Sequence, residues 1–198
     1  MLQKKGPDIL KDINNELINK ESMLTVLDNK IGDGDHGSNM KRGFSYAIQA
    51  LEQENHSDIK SNFTSLGKTL LSKVGGASGP LYGMAFIKGS NNISGSKLTY
   101  DVLRQFVNDG ADAIQKLGKA KIGDKTMYEL WRKLGDDLNN NVDAKTLLEN
   151  ILIYRDQTKN EIAIKGRASY LKERSIGTVD PGCCSSEIIF RHLIGGLE

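Results

Sequence analysis

The residues of this chain best suited to chemistry stand together in one short run, Leu27-Asp28-Asn29-Lys30-Ile31-Gly32-Asp33-Gly34-Asp35-His36-Gly37-Ser38-Asn39-Met40. Three carboxylates, Asp28, Asp33 and Asp35, fall within eight residues and are interleaved with glycines. Like charges this close repel one another. A hard cation relieves the repulsion and takes oxygen ligands, as Mg2+ and Ca2+ both do. The glycines let the backbone bend so that the three side chains converge. An EF-hand needs glycine at the sixth loop position and glutamate at the twelfth. Counted from Asp28 those positions hold Asp33 and Asn39, and counted from Asp33 the twelfth is Phe44, so neither register works. Mg2+ takes one or two carboxylates and completes its shell with water and substrate phosphates. Three aspartates therefore suit a pair of such ions and imply a phosphate ligand. The same residues also fit a turn with solvated carboxylates, in which Ser38 or Asn39 caps a helix beginning near Met40.

Two further segments have the composition of ligand loops. Gly75-Gly76-Ala77-Ser78-Gly79-Pro80-Leu81-Tyr82-Gly83 lies between two helical patterns, and small residues at a helix N-terminus expose main-chain N–H groups to an anion. It lacks Gly-Lys-Ser/Thr, so it is not a Walker A loop. A plain interhelix turn fits it equally. The other segment runs from Lys165 through Arg167, Lys172 and Arg174 to Asp180-Pro181-Gly182. Arginine suits phosphate through its planar fork, and Asp-Pro-Gly reads as a turn. A solvated basic loop ending in a turn is the alternative.

The elements that must position these loops read as helices. Apolar stripes at helical spacing run through Ile9-Ile13-Leu17, Met40-Phe44-Ala47-Leu51, Ile59-Phe63-Leu66-Leu70-Val74, residues 80–87, Leu103-Phe106-Val107-Ala111-Ile114-Leu117, Met127-Leu130-Trp131-Leu134-Leu138, Leu147-Leu148-Ile151-Leu152 and Ile188-Ile189-Leu193-Ile194. No segment alternates with period two between hairpin signals. The expectation is an all-α single domain over residues 1–198, an antiparallel bundle of eight helices that bury their stripes against one another. The run 88–97 reads as a mobile polar loop. Leu197-Glu198 reads as a cloning remnant and carries no weight.

Composition bounds the function. Lys+Arg 27 against Asp+Glu 25 gives a net charge of +2, too balanced to indicate nucleic-acid binding. No apolar run approaches the roughly 20 residues that span a bilayer, and the first seven residues lack a signal-peptide core, so a cytoplasmic protein without membrane contact is expected. Cys183 and Cys184 are adjacent, a poor geometry for a disulfide. They are expected to be small buried thiols and not part of a zinc site.

Taken together, the motifs resemble the nucleotide-binding L subunit of dihydroxyacetone kinase. The resemblance rests on G-D-G-D-H-G-S-N at 32–39, G-G-A-S-G-P-L-Y-G at 75–83, G-D-K-T-M at 123–127, and K-G-R-A-S-Y-L…E-R-S-I-G-T-V-D-P-G from 165 to 182. These occur in the family's order and cover most of the chain. The resemblance implies an eight-helix antiparallel barrel with the nucleotide in loops at one end. It implies two Mg2+ held by Asp28, Asp33 and Asp35. Phosphate-side contacts would come from His36, Gly37, Ser38 and Asn39, and second-loop contacts from Ala77, Ser78 and Gly79. Gly118 and Met127 would lie near the adenine and ribose, and Arg167, Asp180, Pro181 and Gly182 would cover the site. Lys30 stands where relatives often carry glutamate. It is not a ligand position, but it lies on a surface that a partner would meet.

The family works in two modes. Fused to a dihydroxyacetone-binding domain, it consumes ATP. As a separate short chain it keeps ADP bound, and a phosphohistidine-carrying M subunit of the phosphoenolpyruvate-dependent phosphotransferase system converts that ADP to ATP in place. The phosphoryl group then passes to dihydroxyacetone on a K subunit. At 198 residues the chain leaves no room for a K domain, so the second mode is expected. A separate subunit of an ATP-dependent kinase and an ADP/ATP-dependent regulator of a transcription factor are the alternatives. A fatty-acid kinase domain, which usually reads D-G-D-T-G-T-N, is disfavoured by His36.

Overall fold

A computed structural model describes residues 6–94 and 96–198. Among these the regular elements are all helical: α1 (Gly6–Asn19), α2 (Glu21–Ile31), α3 (His36–Glu54), α4 (Ile59–Lys73), α5 (Ser78–Asn91), α6 (Tyr100–Gly118), α7 (Tyr128–Asn139), α8 (Ala144–Gln157) and α9 (Pro181–Gly195). Short 3-10 segments occupy Thr158–Asn160 and Arg167–Ser175. Each of the eight expected stripes falls in a helix of this set, with Val74 at the C-cap of α4 and Met127 at the N-cap of α7. The ninth helix, α2, has no stripe because it buries only Leu24 and Ile31, and leaves Met23 and Val26 exposed. The run 88–97 is not wholly a loop. Its first four residues end α5, and Ser90 and Ile93 are buried. Gly95 lies outside the described residues, as do the first five residues of the N-terminal stretch.

Side-chain caps mark several helix starts. Asp58 accepts from the Ser61 N–H at 2.8 Å, Thr99 from Val102 at 3.3 Å, and Asp143 from Lys145 and Thr146 at 3.0 and 3.1 Å. Asn55 and Lys119 end α3 and α6 in the left-handed conformation.

From α3 to α9, each helix packs on the next. The last, α9, then closes against α1 and α2, which also pack on α3. A ring of helices results, as the barrel expectation requires. Its interior carries a chain of aromatic contacts from Phe44 to Phe86, Phe63, Phe106, Trp131 and Phe190, with centroids 4.6–6.4 Å apart. These rings are fully buried, each contributing about 1.5–3 kcal/mol of transfer free energy. Tight approach of α4 to α5 needs glycine. A Cβ on Gly67 would sit 2.8 Å from the Gly83 carbonyl oxygen. Cys183 and Cys184 are free and buried, as expected. No helix among the described residues is long and apolar enough to cross a membrane. Leu197 packs on the core, and the Glu198 N–H donates to the Leu98 carbonyl at 3.0 Å.

In an antiparallel ring, alternate connections lie at one end. The α2–α3, α4–α5, α6–α7 and α8–α9 connections share such an end, and they contain the acidic loop, the second glycine segment, residues 119–127 and residues 158–180.

Candidate functional site

The four connections surround one cavity of about 310 Å³. Four helices begin at its wall. His36 opens α3, Ser78 opens α5, Met127 precedes α7 and Pro181 opens α9, and all four residues line the cavity. Each helix N-terminus presents main-chain N–H groups and about half a positive charge. Four of them bordering one space favour an anion there, alongside Lys125, Lys165 and Arg167 on the same wall.

Opposed to that positive field are the three aspartates. Asp28, Asp33 and Asp35 each offer a carboxylate oxygen, and these oxygens lie within 4.8 Å of one another. Asp28 comes from the last turn of α2. Its Oδ2 accepts from the main-chain N–H groups of Asp35 at 3.0 Å and His36 at 3.1 Å. It thereby caps α3 from a neighbouring helix, which is why α3 begins at His36 and not near Met40. The residue at the N-cap itself, Asp35, makes no side-chain cap bond, so its carboxylate remains available to a ligand. Asp33 pairs with the Arg167 guanidinium, Nε to Oδ2 2.8 Å. One guanidinium against three carboxylates leaves a net negative cluster of hard oxygen donors, which suits Mg2+.

His36 is buried, with both ring nitrogens engaged. Nδ1 is 2.9 Å from Ser78 Oγ and Nε2 is 2.9 Å from Ser185 Oγ on α9. Burial pushes its pKa down to about 4, against the nearby Asp28 charge, so the imidazole is neutral at pH 7. The network continues from Ser185 to the Tyr82 hydroxyl at 2.7 Å, which also donates to the Gly182 carbonyl. Asp180 is not a turn residue. It is the N-cap of α9, accepting from the Cys183 N–H at 2.7 Å, with Pro181 at the first helical position. Burial pushes its carboxyl up to about 7, while the Cys183 N–H and the Lys125 ammonium draw it down.

Of the residues expected from sequence, Asp28, Asp33, Asp35, His36, Ala77, Ser78, Gly118, Met127, Arg167, Asp180, Pro181 and Gly182 line this one cavity. Gly37, Ser38, Asn39 and Gly79 stand in the first turns of α3 and α5 but not on its wall. A Cβ on Gly37 would run into the Glu21 carbonyl and the Thr25 hydroxyl, so this glycine sets the contact of α3 with α2. Ser38 donates to the Asp35 carbonyl at 2.9 Å, and Asn39 accepts from Arg42 at 2.5 Å. The wall also holds residues outside the individually expected set, including Gly76 and Leu81 of the second glycine segment, and Ile114, Lys125 and Thr126. Lys125 and Thr126 belong to the G-D-K-T-M motif, the one signal that pointed to them. Ile114 carried only helical periodicity.

The model of the family described as the DAK2 domain matches residues 30–195. The chain is 42% identical over 187 residues, 93% of both proteins, to the ADP-binding subunit DhaL of a PTS-dependent dihydroxyacetone kinase from Lactococcus lactis. It is 43% identical over 171 residues to the corresponding subunit of the PEP-dependent enzyme of Escherichia coli, covering 82% of this chain and 81% of that one. Two crystal structures of the dihydroxyacetone kinase of C. freundii superpose with TM-scores of 0.74 for the native form and 0.72 for the complex with AMP-PNP and Mg2+, at 21% and 20% identity. They share its fold over 96% of this chain, which spans about a third of that kinase, 34% and 33%.

Proposed function

The chain belongs to the DAK2 domain family, and from that premise we propose that it is the ADP-binding subunit of a phosphoenolpyruvate-dependent dihydroxyacetone kinase. The observation that carries the reading is the meeting of four helix N-termini with three aspartates in one cavity. A site attractive to anions and to a hard cation at once suits a magnesium–phosphate ligand better than either ion alone.

Bound ADP with two Mg2+ would supply the terminal phosphate oxygen as the carrier through which a phosphoryl group could pass from a phosphohistidine-carrying M subunit to dihydroxyacetone on a K subunit. The chain's own work is positioning and charge compensation. Asp28, Asp33 and Asp35 would hold the metal ions. Ser78, Ala77 and the first-turn N–H groups of α3 and α5 hold phosphate oxygens. His36 stays neutral, so it orients Ser78 without adding a charge that would compete with the metals. With both ring nitrogens already bonded, it is not the nucleophile of a phosphohistidine step. Leu81, Ile114, Gly118 and Met127 accept the apolar base. Asp180-Pro181-Gly182 presents the start of α9, and Arg167 reaches across the mouth. Gly37 and Gly79 serve the phosphate side by seating the first turns of α3 and α5, where a Cβ would meet the Glu21 and Val74 carbonyls, and Ser38 and Asn39 stand beside Gly37 in the first turn of α3.

Reconstitution tests the proposal. The chain is combined with K and M subunits, the general phosphotransferase proteins, phosphoenolpyruvate and dihydroxyacetone. Dihydroxyacetone phosphate should form with no free ATP, and Asp35→Ala should abolish it. Product in proportion to added ATP alone would assign the chain to an ATP-dependent kinase. No transfer under either condition would overturn the kinase reading and favour the regulatory alternative.

A further inference from the structure

The segment that covers the cavity is held in an unusual way. Between Lys159 and Asp180, the described residues that are buried are Ala163 and Ser175. The hydrophobic effect therefore does little to fix this cover. Its backbone is also strained. Lys172, which has a side chain, is held at φ 52° and ψ −126°, whereas Gly166 and Gly177 take φ of 64° and 91° without cost. Strain of this kind persists only where the surroundings enforce it. Yet the cover delivers a defined contact across the mouth of the cavity, from Arg167 to Asp33 at 2.8 Å.

Lys125 supplies the enforcement. It is 1% exposed, although an ammonium is among the costliest groups to bury. Its Nζ donates to the main-chain carbonyls of Glu161 at 3.1 Å and Ser175 at 2.5 Å. Those two residues bracket the cover. Lys125 itself sits at φ 59°, a conformation rare for a side-chain-bearing residue. Next to it, the Asp124 carbonyl accepts from the Ile164 N–H at 3.1 Å. Loop 119–127 thus holds the cover at both ends, and the acceptors are main-chain atoms that no substitution in the cover would remove.

We infer that Lys125 is a positioning residue for the nucleotide: its buried ammonium staples both ends of the 162–174 segment so that Arg167 stands over Asp33 at the cavity mouth. The inference rests on the nucleotide reading of the cavity. It assigns Lys125 an effect exerted through Arg167 and not through contact with phosphate.

The test is a double-mutant cycle read by displacement of Mg·mant-ADP in a stopped-flow instrument, with hydrogen exchange of the nucleotide-free protein alongside. Lys125→Met should speed nucleotide release about tenfold, the order of one charge-assisted hydrogen bond. Arg167→Ala should also speed it, and the double variant should release no faster than the faster single variant. Lys125→Arg, which keeps N–H donors, should restore much of the loss. Exchange over 162–174 should quicken in Lys125→Met while amides in α3–α6 keep their protection. Unchanged release, or effects of Lys125→Met and Arg167→Ala that multiply independently, would overturn the inference. If Lys125→Met does not fold, Lys125→Gln takes its place in the same cycle. If the wild-type chain fails to bind Mg·mant-ADP, the nucleotide reading fails by itself, and unaltered exchange over 162–174 would then overturn the staple.

Discussion

Asp28 carries two roles that one pair of substitutions separates. Its carboxylate accepts two main-chain N–H bonds, from Asp35 and His36, and caps α3. It also contributes an oxygen to the acidic cluster. Asp28→Ala removes both. The cap loss alone costs about 1–2 kcal/mol, the upper range for N-cap deletions, because two donors lose their acceptor at once. Asp28→Asn keeps a carbonyl oxygen that accepts from both N–H groups. It forfeits only the interaction of a charge with the helix dipole, about 0.3–1 kcal/mol, and relief of repulsion from Asp33 and Asp35 offsets part of that. Urea unfolding followed by circular dichroism, in chelator, should place Asp28→Asn within about 0.5 kcal/mol of wild type and Asp28→Ala clearly below it. With Mg2+ and ADP added, the wild-type midpoint should rise while neither variant responds fully, because both lack the charged ligand. Equal stability of the two variants in chelator would refute the cap. A full response of Asp28→Asn to Mg·ADP would refute the ligand role.

Gly37→Ala should destabilise the protein by about 1–3 kcal/mol, the usual range for overpacking. The new Cβ meets the Glu21 carbonyl and Thr25, which a rotamer change cannot clear, and Mg·ADP binding should weaken because the start of α3 moves. Glu16 is pressed upward in pKa by burial, but hydrogen bonds and charge from Arg191 and His192 outweigh this and hold it below its ordinary value. Its contribution is therefore complete above the unfolded glutamate pKa, about 4.3, and is lost as pH falls through the lower folded value. Glu16→Gln should cost about 1 kcal/mol at pH 7 and progressively less in acid. A cost independent of pH would show that packing, and not charge, is what Glu16 provides.

The sequence made legible what local pattern encodes. Phe63 and Leu66, or Trp131 and Leu134, announce their helices because those helices bury a full stripe. Helix α2 stayed hidden because it is a thin layer with two buried residues. The start of α3 was misplaced for a different reason. Its cap comes from Asp28, eight residues upstream on another helix, whereas Ser38 and Asn39 only looked like local caps. Asp180-Pro181-Gly182 has turn composition, and the same residues also make a helix N-cap followed by proline at the first helical position. At the site, the acidic loop and the glycine segments drew attention to most of the residues on the cavity wall. The contacts that order them were not legible, because they join distant parts of the chain. Ser185 meets His36 across 149 residues, and Ser175 meets Lys125 across 50. No spacing rule connects such pairs.

If this cavity holds a magnesium nucleotide, the purified protein should carry it. Purified protein is denatured, and the released nucleotide is identified and counted by chromatography; the refolded or nucleotide-free chain is then titrated with ADP with and without Mg2+. ADP is expected in near-stoichiometric amount, with rebinding that requires Mg2+ and is lost in Asp33→Ala and Asp35→Ala while helical circular dichroism persists. No released nucleotide, together with no Mg2+-dependent uptake of ADP or ATP, would contradict the magnesium-nucleotide reading.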